Sequence, residues 1–213
     1  MIRERAAVIA RNRAGSCEVV SSVRSTQADV LAASVLLARE CEALVRVEAA
    51  RNEVNQYGGY TGMTPADFAA RMAGRAERLG VERTQVVPGG DHLGPQVGRG
   101  ESAAVAMCAA RDTGPAYVRA GFRKIHVDCS EACAGDPPQE ALSAEGAAQC
   151  AAQCEAAMPD PRVLADVIGT EVSRPGGALG DEQMLGPTRP QDALQVIELH
   201  REALLRHFRM HCG

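Results

Sequence analysis

The sequence predicts an α/β protein built from repeated parallel strand–helix units. Three observations carry this expectation. Four apolar runs end in an acidic residue: Leu44 to Glu48, Gln85 to Asp91, Lys124 to Asp128 and Val163 to Glu171. They recur about every forty residues, and the stretches between them have helical composition. In such repeats the functional groups gather at the C-terminal ends of the strands.

The elements follow in order. The first strand is expected over Cys17 to Val23, and the first helix over Gln27 to Glu42, with Val30, Leu31, Leu37 and Ala38 at helical spacing. Strand two is Leu44 to Ala49. A long loop, Asn52 to Met63, carries Gly58, Gly59 and Gly62. Thr64-Pro65 opens helix two as an N-cap followed by proline at the first helical position, and Gly80 ends it. Strand three is Gln85 to Val87, leading into Gly89-Gly90-Asp91-His92. Helix three spans Ser102 to Ala120, with Gly114-Pro115 expected to kink or split it. Strand four is Lys124 to Val127, helix four Ala144 to Ala157, and strand five Val163 to Ile168. A last helix, Gln191 to Phe208, is expected to bury Leu194, Ile197, Leu204 and Phe208. Right-handed crossovers join such units. An open doubly wound sheet and a (β/α) barrel both fit this order.

Composition narrows the classes. The chain has 213 residues, enough for one domain or two small ones, and 46% hydrophobic content is ample for a core. With no Trp, that core must be aliphatic and Ala-rich. A net charge of −4 argues against nucleic acid or an acidic membrane surface as partner. No apolar run is long enough to span a bilayer. Met1 to Arg5 lacks the apolar core of a signal peptide, so a cytoplasmic location is expected. The eight cysteines form no C-x-x-C pair. They read as small buried hydrophobes of a reducing compartment.

Four further features are specific. The loop Asn52-Glu53-Val54-Asn55-Gln56-Tyr57-Gly58-Gly59-Tyr60-Thr61-Gly62-Met63-Thr64-Pro65 is followed in order by Gly89-Gly90-Asp91-His92-Leu93-Gly94-Pro95, Ala116 to His126 and Val167 to Val172. Cys133-Ala134-Gly135-Asp136-Pro137 fits the same pattern. Over essentially its whole length the chain resembles the accessory, non-catalytic subunit of class II D-tagatose-1,6-bisphosphate aldolase. The resemblance implies a (β/α)8 barrel of the TIM type, of which the first five βα units are present as a single domain, residues 1–213. That corresponds to the N-terminal half of a family member. Ala50-Arg51, Gln96 to Arg99, Cys129 and Glu131-Ala132 depart from the family pattern.

The resemblance also implies chemistry. In related catalytic class II aldolases an Asp-His pair at this strand end supplies a proton-transfer carboxylate and a zinc-ligating imidazole. Asp91 is thus the candidate acid/base, and His92 the candidate ligand of a divalent metal such as zinc. A catalytic zinc takes three protein ligands, and the family's further histidines would lie beyond Gly213. Read from the residues alone, Glu48, Asp128 and Glu171 end three strands and would converge with Asp91 on one mouth of a barrel. Carboxylates so gathered bind metal or sugar hydroxyls, or hold loops by hydrogen bonds. Asn52, Asn55 and Gln56 offer amides to a polyhydroxylated substrate, or cap the loop's own backbone. His126 reads as a satisfied interior histidine, and His200, His207 and His211 as a solvated helix face.

Two functions follow from the resemblance. One is an accessory subunit that supports the activity and stability of a catalytic class II aldolase subunit, in tagatose, galactitol or amino-sugar breakdown, with a sugar phosphate as possible ligand. The alternative is a metal-dependent 4-epimerase of ketohexose phosphates. Five units also leave two open sheet edges and an apolar inner face without its opposite wall. A chain that is poorly soluble, dimeric or partly unfolded on its own is therefore expected.

Overall fold

The protein is described from a computed structural model that covers residues 2–130, 133–135, 140–157, 165–169 and 190–211. Its sheet has five strands in the order β1-β2-β3-β4-β5. They are β1 (Ser21–Arg24), β2 (Val45–Ala50), β3 (Val86–Asp91), β4 (Lys124–Asp128) and β5 (Ala165–Gly169). Every neighbouring pair is parallel. A doubly wound sheet reverses its strand order at a switch point. Here the order follows the chain without reversal, as in the wall of a barrel, so this is the partial (β/α) barrel that the sequence predicts.

The helices are α1 (Ile2–Arg13), α2 (Ala28–Glu40), α3 (Pro65–Arg78), α4 (Ala103–Arg119), α5 (Glu140–Ala156) and α6 (Pro190–His211). Local chemistry sets several ends. Gln27 caps α2, its side-chain oxygen accepting from the N–H groups of Asp29 and Val30. Thr64 and Asp67 form a reciprocal capping box at α3, with Pro65 in the first turn. Gly80, at φ 64°, takes the left-handed conformation just past that helix.

Alternate residues of a strand face opposite sides. Val45, Val47, Ala49, Ile125 and Val127 face the helices and meet Leu31, Val35, Phe68, Met72, Tyr117 and Phe122 in one core. The alternate residues face inward, among them Arg46 and Glu48 of β2, Asp91 of β3, and Lys124, His126 and Asp128 of β4. The expected apolar inner face is therefore corrected to a charged one. Most barrels fill this space with branched aliphatic side chains.

Other expectations also change. Strand β3 runs on through Pro88-Gly89-Gly90, so Asp91 is its last residue rather than part of a loop. Helix α4 continues unsplit through Gly114-Pro115. Gly114 serves packing: a Cβ there would stand 2.3 Å from Cys154 Sγ on α5. Helix α6 packs on α5 through a stripe at Leu199, Ala203 and His207, and Leu194 and Ile197 fall off that stripe. They are 61% and 58% exposed, not buried. Leu204 does pack, against the small cluster of Ala148 and Ala203, and the Phe208 side chain lies outside the described residues. His200 and His207 are buried rather than solvated; His200 Nδ1 donates to Val196 O, and His207 pairs with Glu145. Cys17, Cys41 and Cys108 are exposed, whereas Cys129, Cys133, Cys150 and Cys154 are buried. Helix α1 has no counterpart in the sequence reading.

Candidate functional site

The C-terminal ends of β1 to β4 bring one charged cluster together. Register does the first part of the work. Glu48 pairs with Gly89, and Gly89 with Lys124, so the three lie in one row across β2, β3 and β4. The middle residue has no side chain. Glu48 and Lys124 therefore meet above it, with Nζ to Oε2 at 2.9 Å. A Cβ on Gly89 would stand 3.1 Å from Glu48 Cγ.

Asp91 is the centre of the cluster and is 7% exposed. Its Oδ1 accepts from His126 Nδ1 at 2.8 Å and from Lys124 Nζ at 3.3 Å. Its Oδ2 accepts from His92 Nδ1 at 2.8 Å and from Arg24 Nη1 at 3.4 Å. Burial pushes the Asp91 carboxyl up, but the hydrogen bonds from His126 and His92 and the Lys124 charge outweigh it. The group is held far below the usual carboxylate range.

His92 follows directly, at φ 50°. That conformation is uncommon for a residue with a side chain and concentrates at functional sites. It turns the chain so that Leu93 N–H donates to His126 O at 2.8 Å, tying the loop to β4. The hydrogen bond to Asp91 raises the His92 pKa against the opposing effect of burial. His92 Nε2 lies 3.7 Å from Asp128 Oδ2. Asp128 Oδ1 accepts from the N–H and hydroxyl of Ser130, at 2.9 and 2.5 Å. The rings of His92 and His126 are 4.8 Å apart, tilted by 59°.

Asp91, His92 and His126 each offer a ligand atom, all within 4.8 Å of one another. Two imidazoles and a carboxylate suit zinc and other divalent transition ions. Among the described residues His126 Nε2 is buried without a hydrogen-bond partner, an orphan of the kind that a ligand would satisfy. The donor set thus fits a divalent metal in its chemistry, although protein donors already occupy the Asp91 oxygens. His126 is only half the satisfied histidine that its sequence context implies.

The remaining predicted residues fall in three places. Glu48, Asp91, His92 and Asp128 are in the cluster, and Glu171 lies outside the described residues. Asn55 is buried in the loop after β2; its amide donates to Arg51 O and accepts from the N–H groups of Tyr57 and Gly59. Gln56 donates to Ala109 O and accepts from the Thr113 hydroxyl on α4. These two amides serve the scaffold. Asn52 is exposed.

Three participants escape the sequence reading. Lys124 lies two residues before His126 on β4, on the face that His126 shares with Asp128, a period of two that could have been read. Arg24 lies one residue past the strand end expected at Val23. Arg51 is 4% exposed; it donates to Gly94 O, its Nε has no partner, and burial pulls its pKa down.

The wall of parallel strands with a carboxylate–imidazole cluster at its strand ends defines a partial (β/α) barrel protein with a charged strand-end site. The comparisons with known proteins are more specific. Residues 6–211 match the family described as D-tagatose-1,6-bisphosphate aldolase subunit GatZ/KbaZ-like, and the chain belongs to that family. It is 41% identical over 202 residues to the D-tagatose-1,6-bisphosphate aldolase subunit GatZ of Escherichia coli, covering 93% of this chain and 48% of that protein. GatZ of Shigella boydii serotype 18 gives the same identity and coverage. Among solved structures, a probable tagatose 6 phosphate kinase from Sinorhizobium meliloti 1021 superposes with a TM-score of 0.78 at 36% identity, over 89% of this chain and 45% of that one. The chain thus spans about half the length of the relatives it matches. Among the described residues no helix is long and apolar enough to cross a membrane.

Proposed function

We propose that the chain acts as the accessory, non-catalytic part of a class II D-tagatose-1,6-bisphosphate aldolase assembly in the cytoplasm, where it supports a separate catalytic subunit. The family match over residues 6–211 carries this reading. The state of Asp91 favours a non-catalytic role. A general base needs a free lone pair and a pKa near the working pH. Asp91 has four donors on its two oxygens and sits far below that range. What it does instead is hold the imidazoles of His92 and His126, fixing their Nδ1 atoms as donors and leaving each Nε2 for other partners.

The cluster remains the proposed place for a divalent metal and a sugar phosphate. Asp91, once one of its present donors gives way, would hold the metal together with His92 and His126, and a bound metal would supply Lewis-acid polarisation of a ketose carbonyl. Glu48 and Asp128 flank that position, and Lys124 bridges Glu48 and Asp91. The names of the relatives speak for an aldolase subunit and do not support the epimerase alternative.

Mixing the purified chain with a class II tagatose-bisphosphate aldolase catalytic subunit tests the reading. The expected result is a complex on gel filtration and a longer half-life of aldolase activity. Failure to associate, with an unchanged half-life, would overturn it.

A further inference from the structure

Two cations meet the Asp91 carboxylate, and they are not equivalent. Lys124 is buried, with its side chain 8% exposed, and its ammonium has three acceptors: Glu48 Oε2 at 2.9 Å, Asp91 Oδ1 at 3.3 Å and Gly90 O at 3.5 Å. Removing it would strand two carboxylates. Arg24 sits at the open side of the cluster, with its side chain 55% exposed. A single nitrogen, Nη1, makes both of its contacts there, at 3.4 Å to Asp91 Oδ2 and 3.5 Å to His92 Nδ1. Both are long contacts, at the weak end of hydrogen bonding. A half-exposed guanidinium so loosely held leaves for water at little cost.

The position of that nitrogen is what matters. It lies against two of the three residues that form the cation-binding set, Asp91 and His92. The third, His126, has a buried Nε2 with no partner. The guanidinium therefore sits against the Asp91–His92 side of the donor set, and it carries the same sign of charge as a metal ion. Charges this close repel strongly in partly buried surroundings.

We propose that Arg24 is a resident cation of the Asp91–His92–His126 cluster, which a divalent transition metal must displace. The cluster holds either the guanidinium or the metal, not both. This deepens the reading of the cluster as a metal centre and rests on it. Arg24 then sets the metal affinity of the site without being a ligand.

The test is titration of the full chain with Co(II) at pH 8, followed by d–d absorption and calorimetry. The wild type is compared with Arg24→Gln, Arg24→Lys, and Arg24→Gln combined with His92→Gln. Arg24→Gln should bind Co(II) about threefold to fivefold more tightly, while Arg24→Lys, which keeps the charge, should stay near the wild type. Adding His92→Gln should abolish the gain. Thermal melts establish that each variant is folded. If the wild type binds and Arg24→Gln binds no more tightly, the competition is wrong and the metal centre stands. If neither binds, the metal centre falls and the competition with it. Binding by Arg24→Gln alone supports the competition and shows that the native chain keeps the site closed.

Discussion

Glu48 and Lys124 form an ion pair across two strands that are not neighbours, with Oε2 and Nζ 2.9 Å apart above the bare backbone of Gly89. Both side chains are 8% exposed. Breaking such a pair from one side costs about 3–5 kcal/mol, because a buried charge is left alone. Lys124→Met should cost that much in urea unfolding. The Glu48→Gln, Lys124→Met double variant should lose less than Lys124→Met alone. Costs that simply add would mean that the two residues are not coupled.

The loop after β2 depends on Gly59. At φ 57°, its missing Cβ would fall 2.4 Å from Glu53 O. Gly59→Ala should therefore destabilise the fold by more than the ~1 kcal/mol of an ordinary glycine replacement. Proteolysis should then cut first between Asn52 and Met63. A protease-resistant, fully stable Gly59→Ala protein would contradict this geometry.

Acid should loosen helix α6 from α5. Burial pushes the Glu145 carboxyl up, but hydrogen bonds from His207 and Arg206 bring it below its usual 4.5. A lowered folded pKa gives stability that is present above the unfolded value and is lost as pH falls through the folded one. The stability difference between wild type and Glu145→Gln should therefore shrink as pH drops from about 6 to about 3. A difference that holds constant over that range would exclude the pairing as its source.

Thiol labelling reads the core directly. Cys17, Cys41 and Cys108 should react with iodoacetamide in the native state, and Cys129, Cys133, Cys150 and Cys154 only after unfolding. Peptide mass mapping distinguishes the two groups. Early modification of Cys150 would show that α5 is not packed as described.

The wall of the barrel was legible because its signals are periodic. Glu48, Asp91 and Asp128 end apolar runs at regular spacing, and the structure places all three at one end of the sheet. Gly89-Gly90 misled the reading of β3, since glycines within an apolar run suggest a turn. Here they mark close approach: Gly89 admits the Glu48–Lys124 pair, and a Cβ on Gly90 would collide with Leu93. Arg24 could not have been foreseen at Asp91, because that contact reaches across β2 and depends on the curvature of the sheet. Leu194 and Ile197 show the converse limit. Helical spacing identifies an apolar stripe, but only a neighbouring helix decides which stripe is covered.

The strand order has a consequence for how the protein forms. Each strand pairs with one made a single helix earlier, so sheet growth never waits for a distant segment. Closing one strand–helix unit costs less chain entropy than pairing strands several units apart. A chain emerging from the ribosome can zip its sheet from β1 onward, adding one unit as each is completed. The charged cluster would then assemble in two stages: Glu48 arrives with β2 and Asp91 with β3 beside His92 and Arg24, and the contacts to Lys124 and His126 form only when β4 is added.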